Sequence, residues 1–397
     1  MSSWTRHSIG SALLITFAGT LGACGGDDDG PPALPDNTQE AIETYARIVH
    51  ASYEDSLAEA RAMDTAIKAL VAEPTEANFE AAKTAWLESR EPYLQTEVYR
   101  FYDGPIDNPT DGPEGLINAW PLDEAYIDYV DGDATAGIIN DTSVTIDAST
   151  LESLNEQGGE ENVATGYHAI EFLLWGQDAS DTGPGARPST DYVTGGAGTA
   201  QNQDRRGQYL TTVSTMLVGH LDGLTTAWAS GGNNYRAELE GADRREALRR
   251  ILTGMIVLSG FETGGERLQT ALDSADQEDE HSCFSDNTHR DMIQNVQGIL
   301  NVWKGSYTRL DRSTVSGVGV GDVLREVDSE LAEKLDAQIA ESLQLAEALV
   351  PPFDREIGLS NTEGRARVLA LIGSLRDQEE LLEEVFRFFD LTIPYPE

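Results

Sequence analysis

Two cysteines in 397 residues, Cys24 and Cys283, are too few for a disulfide framework. Lysine is scarcer still for its type, with four against 23 arginines, and this bias has no functional reading. The 69 acidic residues outnumber the 27 basic ones, for a formal charge of −42. Such an excess repels phosphates and excludes nucleic acid as a partner, while it suits solubility and cation attraction. Convincing period-2 alternation is missing, which argues against a strand-based fold. The apolar stretch 9–22 is shorter than the roughly twenty residues a permanent membrane helix needs. A chain long enough for two ordinary domains, without staples, must be held by packed cores.

What is present begins with an export signal. Arg6 and His7 give a short basic start, the run 9–22 follows, and Leu21-Gly22-Ala23-Cys24 resembles the lipobox of bacterial lipoproteins. In those proteins the signal is cut before the Cys, and that Cys carries the lipids. The plainer alternative is an Ala-type cleavage site beside a chance cysteine. An Asp/Gly/Pro-rich tether spans 24–36 after a signal peptide over 1–23. The expected partner of Cys24 is therefore a lipid membrane, with the protein anchored in the cell envelope and facing the periplasm or exterior. Gly25 in place of Asp favours the outer membrane, by resemblance to enterobacterial sorting. Processing removes only Arg6 among charged residues, leaving −43, and leaves Cys283 alone.

Helical periodicity dominates the remainder. Ile42, Tyr45, Val49, Tyr53, Leu57, Ala60, Ile67 and Leu70 form a stripe ending before Pro74, and Thr75 is a suitable N-cap for a helix over 76–101. Residues 103–159 read as irregular. A helix is expected over 162–176, a loop over 178–203 and a helix over 209–228. The cluster Gly231-Gly232-Asn233-Asn234 marks a seam between halves 37–230 and 235–397. Helices then follow over 244–274, 287–303, 321–350 and 363–389. The last two carry the stripes Leu324, Val327, Leu331, Leu335, Ile339, Leu343 and Val368, Leu371, Leu375, Leu382, Val385, Phe389, and Pro351-Pro352 stops the former. Residues 66–74 echo 344–352, which fits two helical bundles related by pseudo-symmetry.

The most informative segment is Gly166-Tyr167-His168-Ala169-Ile170-Glu171. His168 and Glu171, three apart, share a face of a helix that is apolar on nearly every side and hence buried. A buried carboxylate must be paired, protonated or metal-bound. Imidazole and carboxylate at this spacing suit a metal, and a hydrogen bond that only fixes the core is the plainer alternative. On the preceding helix Trp86, Arg90, Tyr93, Glu97 and Arg100 recur at spacings of four and three, the face that should hold the core, which points to a buried polar network. A third crowd runs from Asp276 to Asp291 and includes Glu280, His281, Cys283, Ser285, Asp286 and His289, part of it ordinary capping. His50 and His220 on amphipathic helices, and the Gly317–Asp322 loop, read as structural.

These segments together resemble the imelysin-like family, also called the imelysin peptidase or iron-regulated protein family. The resemblance rests on Gly166-x-His168-x-x-Glu171, the Trp86–Arg100 stripe with Gly104-Pro105-Ile106-Asp107, Trp120-Pro121, and the Glu280–Asp291 segment. It implies an all-α fold of two helical bundles with a site between them, and a link to iron acquisition. The expected cargo is iron or an iron-bearing small ligand, with zinc or haem as alternatives and no protein partner specified. His168 and Glu171 stand at the centre, with Glu97, Asp286 and His289 as further metal ligands. Trp86, Arg90, Tyr93, Arg100, Trp120, Glu280 and Ser285 make up the surrounding network, and Arg90 and Arg100 either neutralise carboxylates or hold an anionic ligand. The family's peptidase label lacks local support, because a zincin helix needs His-Glu-x-x-His and the chain has no His-Glu dipeptide. A zinc endopeptidase and a structural envelope scaffold are the rival classes.

Overall fold

A computed structural model describes residues 33–394; the expected signal peptide, Cys24 and most of the tether lie outside those residues. In chain order the helices are α1 (Thr38–Ala72), α2 (Glu76–Leu94), the short α3 (Glu114–Ile117), α4 (Glu124–Ile127), α5 (Gly137–Asn140) and α6 (Ala148–Leu154), then α7 (Gly166–Trp175), α8 (Gln203–Trp228), α9 (Tyr235–Gly241) and α10 (Arg244–Ile256). A π-helical segment, Val257–Gln269, carries α10 on into α11 (Thr270–Ser274). The chain continues through α12 (Thr288–Lys304), α13 (Val320–Arg325), α14 (Ser329–Glu347), α15 (Phe353–Ile357) and α16 (Thr362–Phe388). The all-α class holds. One small antiparallel hairpin, β1 (Ser306–Thr308) with β2 (Thr314–Ser316), is too short to register as an apolar alternation.

All eight residues of the α1 stripe are buried, and Thr75 caps α2 by accepting from the Asn78 amide. Three expectations change. The helix expected over 76–101 ends at Leu94: Pro92 brings no N–H to its last turn, and the Thr96 hydroxyl takes the Tyr93 carbonyl at 2.6 Å. Glu97–Tyr99 is then a separate 3-10 turn. Residues 103–159 are not wholly irregular but hold α3 to α6. The helix expected over 321–350 breaks after Arg325, because Asp328 caps a new helix at the Leu331 amide; Val327 falls in the break and is 45% exposed. The α16 stripe is buried throughout.

Packing follows the stripes. Helix α1 lies against α2 and α8, and α7 against α2 and α8; the π-helical segment lies against α16, which packs on α14, and α12 packs on α14 and on α2. One core cluster draws on both sides of the 231–234 loop, from Ile42 and Tyr209 to Ile339 and Phe386; a smaller one gathers Leu268, Met292, Phe353 and Leu371. Each large side chain so buried contributes about 1.5–3 kcal/mol. The approach of α10 to the Glu97–Tyr99 turn depends on Gly254, where a Cβ would lie 2.0 Å from the Val98 carbonyl oxygen. That close contact fixes the backbone from which Glu97 projects.

Candidate functional site: two imidazoles, each held by a carboxylate

Helix α7 starts at Gly166, with φ +85° and room for no Cβ, since one would meet the Ile117 carbonyl at 2.5 Å. The glycine of the Gly166-x-His168-x-x-Glu171 motif is therefore a backbone requirement. Every residue of α7 is buried. His168 Nδ1 lies 2.8 Å from Glu171 Oε2, and the other carboxylate oxygen accepts from the Ser285 amide at 3.0 Å and its hydroxyl at 2.6 Å. Both Glu171 oxygens are thus engaged. His168 Nε2 is buried without a hydrogen-bond partner.

The loop before α12 brings a second imidazole. His281 packs edge-on against His168 with ring centroids 4.9 Å apart, and its own Nδ1 lies 2.7 Å from Asp291 Oδ2. Asp291 also accepts from the Ser282 hydroxyl at 2.5 Å and the Asn287 amide at 3.3 Å. Trp120 places its ring 5.8 Å from His281 and donates to the Glu280 carbonyl at 2.8 Å. Arg90 is enclosed by aromatic faces, its guanidinium 4.8 Å from the Tyr167 ring and 5.5 Å from that of Trp86. It donates to Asn118 at 2.5 Å and stands 3.7 Å from Asp291, with Nε free of any hydrogen bond. Trp86 donates to the Tyr167 carbonyl, and Tyr93 stacks on Tyr167 at 4.8 Å.

Glu97 closes the cluster. One oxygen accepts from Arg267 at 2.6 Å and Arg100 at 2.8 Å; the other is buried and unpartnered. Burial pushes this carboxyl up, but Arg100 and Arg267 outweigh it and hold it well below the usual range. Arg267 also bonds Asn295 and Glu262, and Arg100 pairs with Glu114 at 3.1 Å. Burial, then Arg90, keep His168 neutral; burial, then Arg267, do the same for His281. Burial raises Glu171 to about 8 against the pull of Ser285 and Arg90. Two proton arrangements fit the His168–Glu171 contact. A neutral Glu171 donates to Nδ1 and leaves a proton on Nε2, whereas an ionised one accepts from Nδ1–H and leaves Nε2 a lone pair.

A carboxylate holding each ring through Nδ1 is the arrangement that orients imidazoles toward a ligand at the other nitrogen. Residues 49–382 match the family profile described as Imelysin. The chain belongs to the imelysin family. An "Iron-regulated protein A" of Synechococcus elongatus is 26% identical over 359 residues, spanning 87% of this chain and 85% of its own. A solved structure from Parabacteroides distasonis, provisionally named an iron-regulated protein A precursor, superposes with a TM-score of 0.68 at 19% identity over 92% of this chain and 98% of that one. An imelysin-like protein from Psychrobacter arcticum gives 0.63 at 11% identity over 92% and 100%. At those identities the two structures share the fold.

Within this imelysin fold, the structure gathers His168, Glu171, Glu97, Arg90, Trp86, Tyr93, Arg100, Trp120 and Ser285 around one buried cluster. Asp286 and Glu280 face a different group of carboxylates, taken up below. His289 sits apart, its Nδ1 3.2 Å from the Asp286 carbonyl, and the imidazole that meets His168 is His281. His281, Asp291, Asn118 and Arg267 were not singled out as site residues by sequence. His281 and Asp291 belong to the crowded segment, ten apart, a separation that no regular element predicts. Arg267 lies in the π-helical segment, a feature often found at functional sites and invisible to a 3.6-residue period. Among the described residues, no three donor atoms at His168 converge within 4.8 Å.

Proposed function

We propose that this chain is a lipid-anchored envelope protein that holds iron, as a small iron-bearing ligand, at the His168–His281 pair. The observation that carries the reading is the paired Nδ1–carboxylate contacts, which leave the buried His168 Nε2 without a partner. The donor set fits a ligand that brings oxygen donors of its own. The chain offers two neutral imidazoles and one free Glu97 oxygen, an incomplete shell for a bare ion, while Arg90 offers an unused N–H for an anionic group. Iron is the cargo in this reading, in keeping with the iron-regulated name of the Synechococcus relative. The near-complete enclosure of the pair, with His168 and His281 each 1% exposed, favours one rival, a polar core that only fixes the fold.

Elemental analysis of protein purified from iron-replete cells separates these. Near-stoichiometric iron is expected in the wild type, with at least about tenfold weaker retention in His168→Ala. Equal iron in both proteins would leave only the core role. Peptide cleavage lost in chelator and regained with zinc would instead identify the endopeptidase.

Anchoring has its own test. Wild type should partition into the detergent phase with membrane fractions, because a lipoprotein's several acyl chains hold firmly where one holds weakly, and Cys24→Ser should block lipid attachment and, by resemblance to lipoprotein processing, signal removal. Wild-type protein recovered wholly soluble, with an unmodified mature N-terminus, would rule the anchor out.

A further inference from the structure

Beside the imidazole pair, and separate from it, lies a group of carboxylates that form no salt bridge among the described residues, the one basic charge acting on them being that of Arg355 on Asp354. Asp178 follows α7, Asp286 precedes α12 and Asp354 opens α15, yet one oxygen from each lies within 4.8 Å of the others. None is a surface group: Asp178 is 5% exposed, Asp286 9% and Asp354 7%. Asp178 Oδ2, Asp286 Oδ1 and both Asp354 oxygens are buried without a hydrogen-bond partner. The independent observation is Glu280, which is fully buried with neither carboxylate oxygen in a close hydrogen bond; the side chains acting on it are the Asp354 carboxyl, the Asp286 charge and the Thr288 hydroxyl. Asp286 is held in the left-handed region at φ +58°, where an aspartate is tolerated but not preferred.

Four buried carboxylates cannot all be ionised together without a counter-charge. We infer that Asp178, Glu280, Asp286 and Asp354 form a binding site for a hard divalent cation of the calcium class. Donor chemistry selects the ion: the set is all oxygen, with no sulfur and no imidazole among the four, which suits Ca²⁺ over zinc or copper. Asp178 borders a cleft of about 1080 Å³ that also takes in Gln277 and Glu278, and Asp354 borders a smaller one of about 430 Å³.

The surrounding charges strengthen the case. Glu278 and Asp181 add negative potential, Glu171 acts on Asp286, and the basic neighbour Arg355 donates to the Asp181 carbonyl. Without a cation, burial first and then the mutual repulsion raise Asp178 to about 6 and Asp286 to about 7, and push Glu280 and Asp354 up as well. The apo cluster therefore holds protons near neutrality, and a cation displaces them. For raised carboxyls the stability they contribute is present below their ordinary pKa and lost as pH rises to the folded values, so cation-free protein weakens from the ordinary aspartate pKa of 3.8 up to about pH 7 and stays weaker above it. Occupancy would tie the Glu280–Asp286 loop, which supplies His281 and Ser285 to the imidazole pair, to α7 and α15.

The test uses the full mature chain, stripped with chelator and titrated with CaCl₂ at pH 8 by calorimetry and by thermal melts. One Ca²⁺ per chain is expected, with a rise in Tm of several degrees at millimolar Ca²⁺ and a smaller rise at pH 6. Glu280→Gln and Asp354→Asn should each weaken Ca²⁺ binding at least tenfold. Both should fold, since each removes a repelling charge, and should melt higher than wild type in chelator at pH 8. His168→Ala should keep the full Ca²⁺ response, which separates this site from the iron reading. No calcium binding by the wild type at millimolar concentration, or an undiminished response in Glu280→Gln and Asp354→Asn, would overturn the assignment.

Discussion

Asp128→Ala should destabilise the protein by about 3–5 kcal/mol, the cost of leaving buried charge uncompensated. Asp128 is fully buried and receives Arg206 in two parallel bonds, Nε at 2.6 Å and the terminal nitrogen at 2.8 Å, with Arg187 at 2.8 Å on the same side. Burial alone would raise the Asp128 carboxyl; Arg187 and Arg206 more than offset it and hold it below its usual value. Arg206 further donates to the carbonyls of Asp191 and Gln201, so it cannot swing to solvent, and Arg187 keeps only the longer 3.3 Å contact to Asp191. Thermal melts at pH 7 check the result, with a drop of roughly 10 °C expected. Asp128→Ala/Arg206→Met, which removes a charge from each side, should recover part of the loss. Because the folded pKa is depressed, the wild-type contribution is complete above the ordinary aspartate pKa and disappears as pH falls through the folded value. The gap between wild type and variant should close in acid. A variant that melts within about 2 °C of wild type would mean that the two guanidiniums have another counter-charge.

That ion cluster shows where sequence reading ends. Arg187 and Arg206 lie 59 and 78 residues from Asp128, Asp128 and Arg187 in stretches read as loop and Arg206 ahead of the expected helix start, and no periodicity links them. Stripes such as Ile42 to Leu70 on α1 and Val368 to Phe389 on α16 are local and repeat with the helix, so both helices and their buried faces were legible. The motif on α7 was legible for the same reason: three residues of helix set the His168–Glu171 distance. What Glu171 does with its other oxygen was not, because Ser285 is 114 residues away. The stripe Trp86–Arg100 was correctly placed in the interior, although α2 ends at Leu94. A 3-10 turn after the helix still delivers Glu97 to the core, through a close contact with Gly254 that leaves no trace in hydrophobic pattern. His281 rather than His289 meets His168 for a similar reason, as the irregular loop ahead of α12 determines which imidazole turns inward.

Glu171→Gln is expected to abolish iron-dependent stabilisation while leaving the apo protein at least as stable as wild type. The Ser285 amide is a fixed donor to Oε1, so the glutamine must present its carbonyl oxygen there and its NH₂ to His168 Nδ1. Nδ1 then becomes an acceptor, the ring proton moves to Nε2, and the atom that would bind iron has no lone pair. Shape and hydrogen bonding survive, and a group that must otherwise ionise in a buried site is gone. Melts with chelator and with added iron decide the matter. Wild type should gain about 2.7 kcal/mol at a free-ligand concentration a hundredfold above its Kd, and Glu171→Gln should gain nothing. The apo pair also differs with pH. The wild-type carboxyl is raised to about 8, so its contribution is full below the ordinary glutamate pKa and is lost as pH rises through about 8. In chelator, Glu171→Gln should therefore match wild type only near the ordinary glutamate pKa of 4.5 and pull progressively ahead as pH rises to about 8. A purely structural His168–Glu171 ion pair predicts the reverse: a loss on the order of 3 kcal/mol at neutral pH and no response to metal in either protein. That outcome would leave the imelysin fold intact and remove iron from His168.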